Sequence, residues 1–177
     1  HALPDPLRME DGRFVSSREQ WEKERRPEVL QLFRDHVYGN SPKAPDACHF
    51  QVFDRAEGVL GGVADRLQVR IRFAAPLDSR GMDLLVYLPT GKSNVPAFLG
   101  LNFQGNHTVH ADPAIRVTES WVRNNSSQGI QDNKTREDLR GAAARRWPVE
   151  EIVKRGYAVA TIYYGDIDPD FHDGYLN

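Results

Sequence analysis

Apolar residues recur at helical spacing near the start of the chain, alternate with polar ones in its middle, and run together towards its end. Residues 1–15, with Pro4, Pro6 and Gly12, read as an irregular arm. Ser16-Ser17-Arg18-Glu19 is a capping-box pattern that predicts a helix start, and Arg26-Pro27-Glu28 restarts it. Val29, Leu30, Phe33 and Val37 make its apolar face, and Gly39 supplies its stop. Past Pro42 and Pro45 the period changes to two. Leu67, Val69, Ile71 and Phe73 alternate with Gln68, Arg70 and Arg72, which predicts a half-buried antiparallel strand. His49–Phe53 is a candidate partner for it, and Leu84–Leu88 reads as a further strand closed by Pro89.

Two apolar runs then stand out, each ending in a polar cluster: Ala97–His107 and Tyr157–Asp170. Val95–Leu101 is apolar enough to be buried on both faces. A short helical pattern, Pro148–Arg155, precedes the second run, so the order is strand, crossover helix, parallel strand. In open α/β sheets, ligands bind beyond the carboxyl ends of such strands. Residues 103–146 form a connection longer than ordinary loops, with a polar, disorder-leaning centre at Asn124–Gly129 and a short helix expected over Glu137–Arg146. Such excursions are commonly functional loops or lids. A sheet that stopped at Asn177 would leave Tyr157–Tyr164 without its next neighbour, so we expect an α/β sheet completed by residues outside the chain.

Composition changes little in this picture. The 177 residues are 40% hydrophobic and 27% charged, ordinary for a globular domain of this length. A net charge of −2 offers nothing to nucleic acid or to an anionic membrane, and no apolar stretch approaches the ~20 residues that span a bilayer. No leader-like segment opens the chain. The lone Cys48 excludes an internal disulfide and reads as a small buried or half-buried thiol.

Candidate chemistry gathers in the two polar clusters. Asn102 to His107 combine a glycine that lets backbone approach a ligand with Asn, Gln and His side chains able to donate to an oxygen. The plainer reading has them satisfying a tight turn. The segment holds four carboxylates, Asp166, Asp168, Asp170 and Asp173; the first three are spaced like the start of a calcium loop, but Phe171 and Asn177 stand where Gly and Glu are required. Turn-forming and capping aspartates are therefore expected, and no metal. His107, His110 and Asp112 form an H-x-x-H-x-D string with weak metal character, whereas His36 and His172 are isolated. Trp21, Trp121 and Trp147 read as packing residues, with a sugar-lining role left open for Trp121. No Ser, Cys or Thr lies in a nucleophile context such as G-x-S-x-G.

RRPEVLQLFRDHVYG, LLVYLPTG, GLNFQGNHTV and RWPVEEIVKRGYAVATIYYGDIDPDF, in that order, resemble the N-terminal half of glucuronoyl esterases, carbohydrate esterase family 15. The resemblance covers most of residues 3–174. It implies an α/β-hydrolase-like three-layer αβα sandwich, incomplete here. Residues 1–177 would be the N-terminal part of one domain, with 1–45 an arm and helix and 46–177 the first strands. It implies a Ser-His-acid mechanism acting on uronate esters that join glucuronoxylan to lignin, no cofactor, and a secreted or periplasmic protein. The nucleophile elbow G-x-S-R-x-G, the triad acid and histidine, and the uronate-gripping residues all follow in the family, so no catalytic residue is assigned within 1–177. The chain alone should be inactive, with the C-terminal remainder of the enzyme as its partner. What carries over is scaffold: Phe103, Gln104, Gly105, Asn106 and His107 as an oxyanion-side wall, and Asp166, Asp168 and Asp170 as a rim loop. A rival reading is a non-catalytic carbohydrate-binding or accessory domain; a third, a calcium-stabilised fragment, would lose stability to chelator.

Overall fold

Alternation in the middle of the chain does yield strands, but it buries the opposite side from the one hydrophobicity favours. In the computed structural model, residues 3–41, 43, 47–73 and 81–171 are described. The chain divides into two units, His1–Ala44 and Pro45–Asn177.

In the first unit, Arg18–Gln20, a π-helical stretch Trp21–Arg25, the α-helix Arg26–Phe33 and a second π stretch Arg34–Tyr38 follow without a break, and Gly39 ends them at φ +74°. The cap sits one residue later than the sequence pattern places it. Ser17 Oγ accepts from Gln20 N–H at 3.1 Å, and Gln20 Oε1 returns to Ser16 N–H at 2.9 Å. Buried Arg25 ties the arm to the helix, donating to Pro6 O at 3.0 Å and to Glu28 at 2.5 Å.

The second unit is built on a mixed sheet of β1 (His49–Gly58), β2 (Ala64–Arg72), β3 (Gly81–Pro89), β4 (Ala97–Asn102) and β5 (Ala158–Tyr163), in the order β1-β2-β3-β5-β4. Only β4 and β5 are parallel. The helix Val149–Lys154 carries the crossover between them and packs on β3 and β5 through buried Val149 and Val153. Because β5 inserts between β3 and β4, it has a neighbour on each side. On that side the edge strand is β4, which corrects the expectation that Tyr157–Tyr164 would lack a neighbour. Nor is Val95–Leu101 buried on both faces: Leu99 is 71% and Phe98 57% exposed.

Register assigns the faces. Arg66 and Gln68 of β2 stand opposite Tyr87 and Leu85 of β3 and, through them, Val159 and Thr161 of β5, and Ala64 lies on the same face. All of these are buried. On the other face of β2 Ile71 is buried, but Leu67 and Val69 are only half-buried, as are their partners Leu84 and Val86, and Phe50 and Val52 of β1 are exposed. The long segment between β4 and the crossover helix accounts for this inversion. It is no detached lid: Val109, Ile115, Val122 and Ile130 drop into the core over the polar-sided face. Its centre is ordered by a turn at Ser126–Gln128, capped by Asn125 and closed by Gly129 at φ +66°. The helix expected over Glu137–Arg146 is two separate 3-10 turns, Glu137–Leu139 and Ala144–Arg146. Cys48 is exposed, not buried.

Candidate active-site rim

The carboxyl ends of β4 and β5 lie side by side, and the two polar clusters expected at a rim follow them. Asn102, the last residue of β4, organises the first cluster. Its Nδ2 donates to Asn106 Oδ1 at 2.7 Å and Thr161 Oγ1 at 3.1 Å, and its Oδ1 accepts from Gly105 N–H at 2.9 Å. Asn106 Nδ2 reaches across to Asp83 O at 2.8 Å, fastening the turn to β3. Gly105 sits at φ +101°, where a Cβ would stand 2.8 Å from Thr118 Cγ2, so only glycine allows this approach.

His107 is fully buried, its Nε2 lying 3.2 Å from both Arg136 O and Thr135 Oγ1, with Nδ1 unpartnered. Burial pushes its pKa down, which favours a neutral ring donating from Nε2 to the Arg136 carbonyl. Asn106 and His107 thus face inward and tie the turn to its neighbours. Phe103 and Gln104 face outward: Phe103 is exposed with its ring 5.5 Å from that of Tyr164, and Gln104 Nε2 donates to Gln128 Oε1 at 2.6 Å. Both line a cavity of about 310 Å3, together with Arg145, Arg146 and Trp147.

Asp166 belongs to a second cleft, of about 450 Å3, on the other side of β5. Its carboxylate accepts from Ser120 Oγ at 2.5 Å, Thr118 Oγ1 at 3.3 Å and Asp83 N–H at 3.1 Å. Asp83 faces Arg70, whose Nη2 donates to Oδ2 at 3.0 Å. Arg70 Nε lies 2.5 Å from Oδ1 but off the line of a hydrogen bond, so that oxygen is held by charge alone. Burial raises the Asp83 pKa more than Arg70 and Arg116 lower it. Asp168 and Asp170 line neither space. Asp168 is exposed, its N–H bonded to Tyr164 O at 3.1 Å, and Asp170 pairs with Arg123 at 2.7 Å. Asp173 and His172 lie outside the described residues.

Among the described residues no group of three His, Cys, Asp or Glu converges to hold a metal. In the H-x-x-H-x-D string Asp112 is committed elsewhere: it accepts from Arg66 Nη1 at 2.5 Å and Tyr87 Oη at 2.7 Å. Arg66, 4% exposed, also binds Asp54 at 2.8 Å, and Gln68 links Asp54 to Ala114 O. This buried network was missed in the sequence. Its only signal is the alternation of Arg66 and Gln68 with Leu67 and Val69, which reads equally well as a solvent face. No helix among the described residues is long and apolar enough to cross a membrane.

No family model matches the chain. It is 53% identical over 175 residues to carbohydrate esterase MZ0003 from an unknown prokaryotic organism, covering 97% of this chain and 40% of that protein. A promiscuous CE15 esterase from a marine bacterial metagenome superimposes with a TM-score of 0.86 at 52% identity, over 97% of this chain and 43% of that one. A glucuronoyl esterase from Solibacter usitatus gives 0.84 at 40% identity, over the same shares of the two chains. The chain therefore spans about two fifths of the length of these relatives, and its five-stranded sheet is a partial α/β-hydrolase fold. With most of its residues aligned to such proteins at this identity, the chain is similar over its length to a portion of CE15 carbohydrate esterases.

Proposed function

We propose that the chain is the N-terminal portion of an enzyme that hydrolyses uronate esters of glucuronoxylan by a serine mechanism, with the nucleophile supplied by residues outside the 177. The observation that carries this reading is the position of Phe103 and Gln104. They leave the carboxyl end of β4, whose free edge is where a further strand would pair, beside the sheet face left open by Leu99 and Leu101. In this reading the remaining polypeptide adds strands to β4 and covers that face, bringing a serine to the outward side of the 103–107 turn. Serine attacks the ester carbonyl, the developing oxyanion meets backbone N–H groups of that turn, a histidine transfers the proton to the leaving alcohol, and water releases the uronic acid. Asn102, Asn106 and His107 hold the turn and make no bond to substrate. Asp166 and the loop through Asp168 and Asp170 form the far rim. A polymeric substrate places the enzyme outside the cytoplasm, secreted or periplasmic.

The test is a comparison of the full-length polypeptide with the 177-residue chain on a benzyl glucuronate ester and on an acetylated sugar. The full-length protein should release benzyl alcohol and the chain alone should not. Hydrolysis of acetyl esters only would sink the uronate assignment, and activity in the chain alone would sink the missing-nucleophile reading.

A further inference from the structure

The cleft on the far side of β5 has no role in the bond chemistry proposed above, yet it is built with care. Trp121 lines it, half-buried, with its carbonyl accepting from Tyr163 Oη at 2.8 Å and its ring braced by Phe171 at 5.4 Å between centroids. Tyr163 ends β5, so the Trp121 backbone is tied directly to the sheet. Gly165 makes room for that tyrosine, since a Cβ there would stand 2.5 Å from Tyr163 Cε1. The same cleft is lined by a hydroxyl, Ser120, a carboxylate, Asp166, and a guanidinium, Arg116. Arg116 is oriented by the face of Phe53, 5.4 Å from the ring centroid, and by its own N–H to Gln68 Oε1 at 2.8 Å. Its nearest carboxylate oxygen, on Asp83, is 3.9 Å away, so it keeps donors for a ligand.

We propose that this cleft, framed by Trp121, Ser120, Arg116 and Asp166, is a subsite for a neutral pyranose of the polysaccharide chain. An aromatic plate offers the apolar face of a sugar ring its contact, while a carboxylate and a guanidinium at the ring edge accept from and donate to hydroxyls. The volume, about 450 Å3, is that of a small-molecule site. Charge argues for a neutral sugar over an acidic one. Arg70 is engaged by Asp83, and the two guanidinium groups face three carboxylates, of Asp83, Asp166 and Glu119. The site lies across β5 from the 103–107 turn, so a chain could run along the rim from one to the other. The proposal rests on the esterase reading only for the choice of polysaccharide.

The experiment is isothermal titration of the full-length polypeptide with tetramers of β-1,4-linked xylose and of β-1,4-linked glucose, with free glucuronate as the acidic probe. At least one tetramer should bind saturably. Trp121→Ala should weaken that binding about tenfold or more, and Trp121→Phe far less. Arg116→Ala, an exposed change, should weaken it several-fold and serves if Trp121→Ala does not fold. Binding of neither tetramer, unchanged affinity in a folded Trp121→Ala and in Arg116→Ala, or tighter binding of glucuronate than of both tetramers overturns the subsite. Ester hydrolysis read on the same wild-type protein separates the two proposals: Trp121-dependent binding without hydrolysis keeps the subsite and sinks the esterase, and hydrolysis without such binding does the reverse.

Discussion

Asp112 shares Arg66 with Asp54 and takes a hydrogen bond from Tyr87. Its burial alone would raise its pKa, but bonds from Tyr87, the Ala114 N–H and Arg66 together outweigh that and hold it below the ordinary value. Asp54 is lowered too, chiefly by the Arg66 hydrogen bond. Removing one member of a buried charge set leaves the others uncompensated. Asp112→Ala should therefore cost about 3 kcal/mol in urea denaturation, where an exposed pair such as Arg18–Glu22 is worth at most about 1. The pH dependence has a definite sign. Carboxylates with depressed pKa values contribute stability that is complete above about 3.9 and is lost as pH falls through their native values. Asp83, raised by burial, acts oppositely: its contribution is lost as pH rises through its native value. Wild type should thus lose stability steeply below about pH 4, and Asp112→Asn should flatten that limb. An unchanged acid limb in Asp112→Asn would refute the assignment.

Among the elements, the segment between β4 and the crossover helix differs most from its sequence reading. Length and polarity mark it as an excursion, and the Asn124–Gly129 stretch as its loosest part. The fold instead uses it as the covering layer, with Val109 fully buried and His107 and Thr108 bonded through their carbonyls to the N–H groups of Gly141 and Ala143. In hydrogen exchange of the full-length polypeptide, the amides of Gly141 and Ala143 should therefore exchange as slowly as those of β3 and β5. Val109→Ala should cost about 2 kcal/mol; fast exchange there would restore the lid. The strands, the crossover helix and the Gly39 stop were legible because each rests on a local period or a local φ. The burial of Arg66 and Gln68 was not, because a strand alternates the same way whichever face is covered.

At the scale of the whole molecule, Leu99, Leu101, Phe50 and Val52 stay exposed on the sheet's second face, where Ile71 and Ile162 are buried, and among the described residues no strand pairs with the outer edge of β4. Contiguous apolar surface beside an unpaired strand edge drives association. The 177-residue chain on its own should self-associate in sedimentation and bind a hydrophobic dye, and the full-length polypeptide should do neither. A monodisperse, dye-silent short chain would mean that the face needs no cover. Of the candidate site, the two clusters proposed as its rim were visible as the polar ends of apolar runs. Their division of labour was not: Phe103 and Gln104 face out while Asn106 and His107 face in, because a turn's hydrogen bonds choose the inward side chains.

What the sequence determined by itself was the kind and order of elements, the family resemblance, and the lack of a nucleophile motif, all carried by short-range patterns. Only the tertiary structure decided that β5 inserts between β3 and β4, that the polar side of β2 is the buried one, and that Trp121 meets Arg116 and Asp166 in one cleft. Those outcomes depend on where distant segments land on the sheet. Local periodicity carries no information about that.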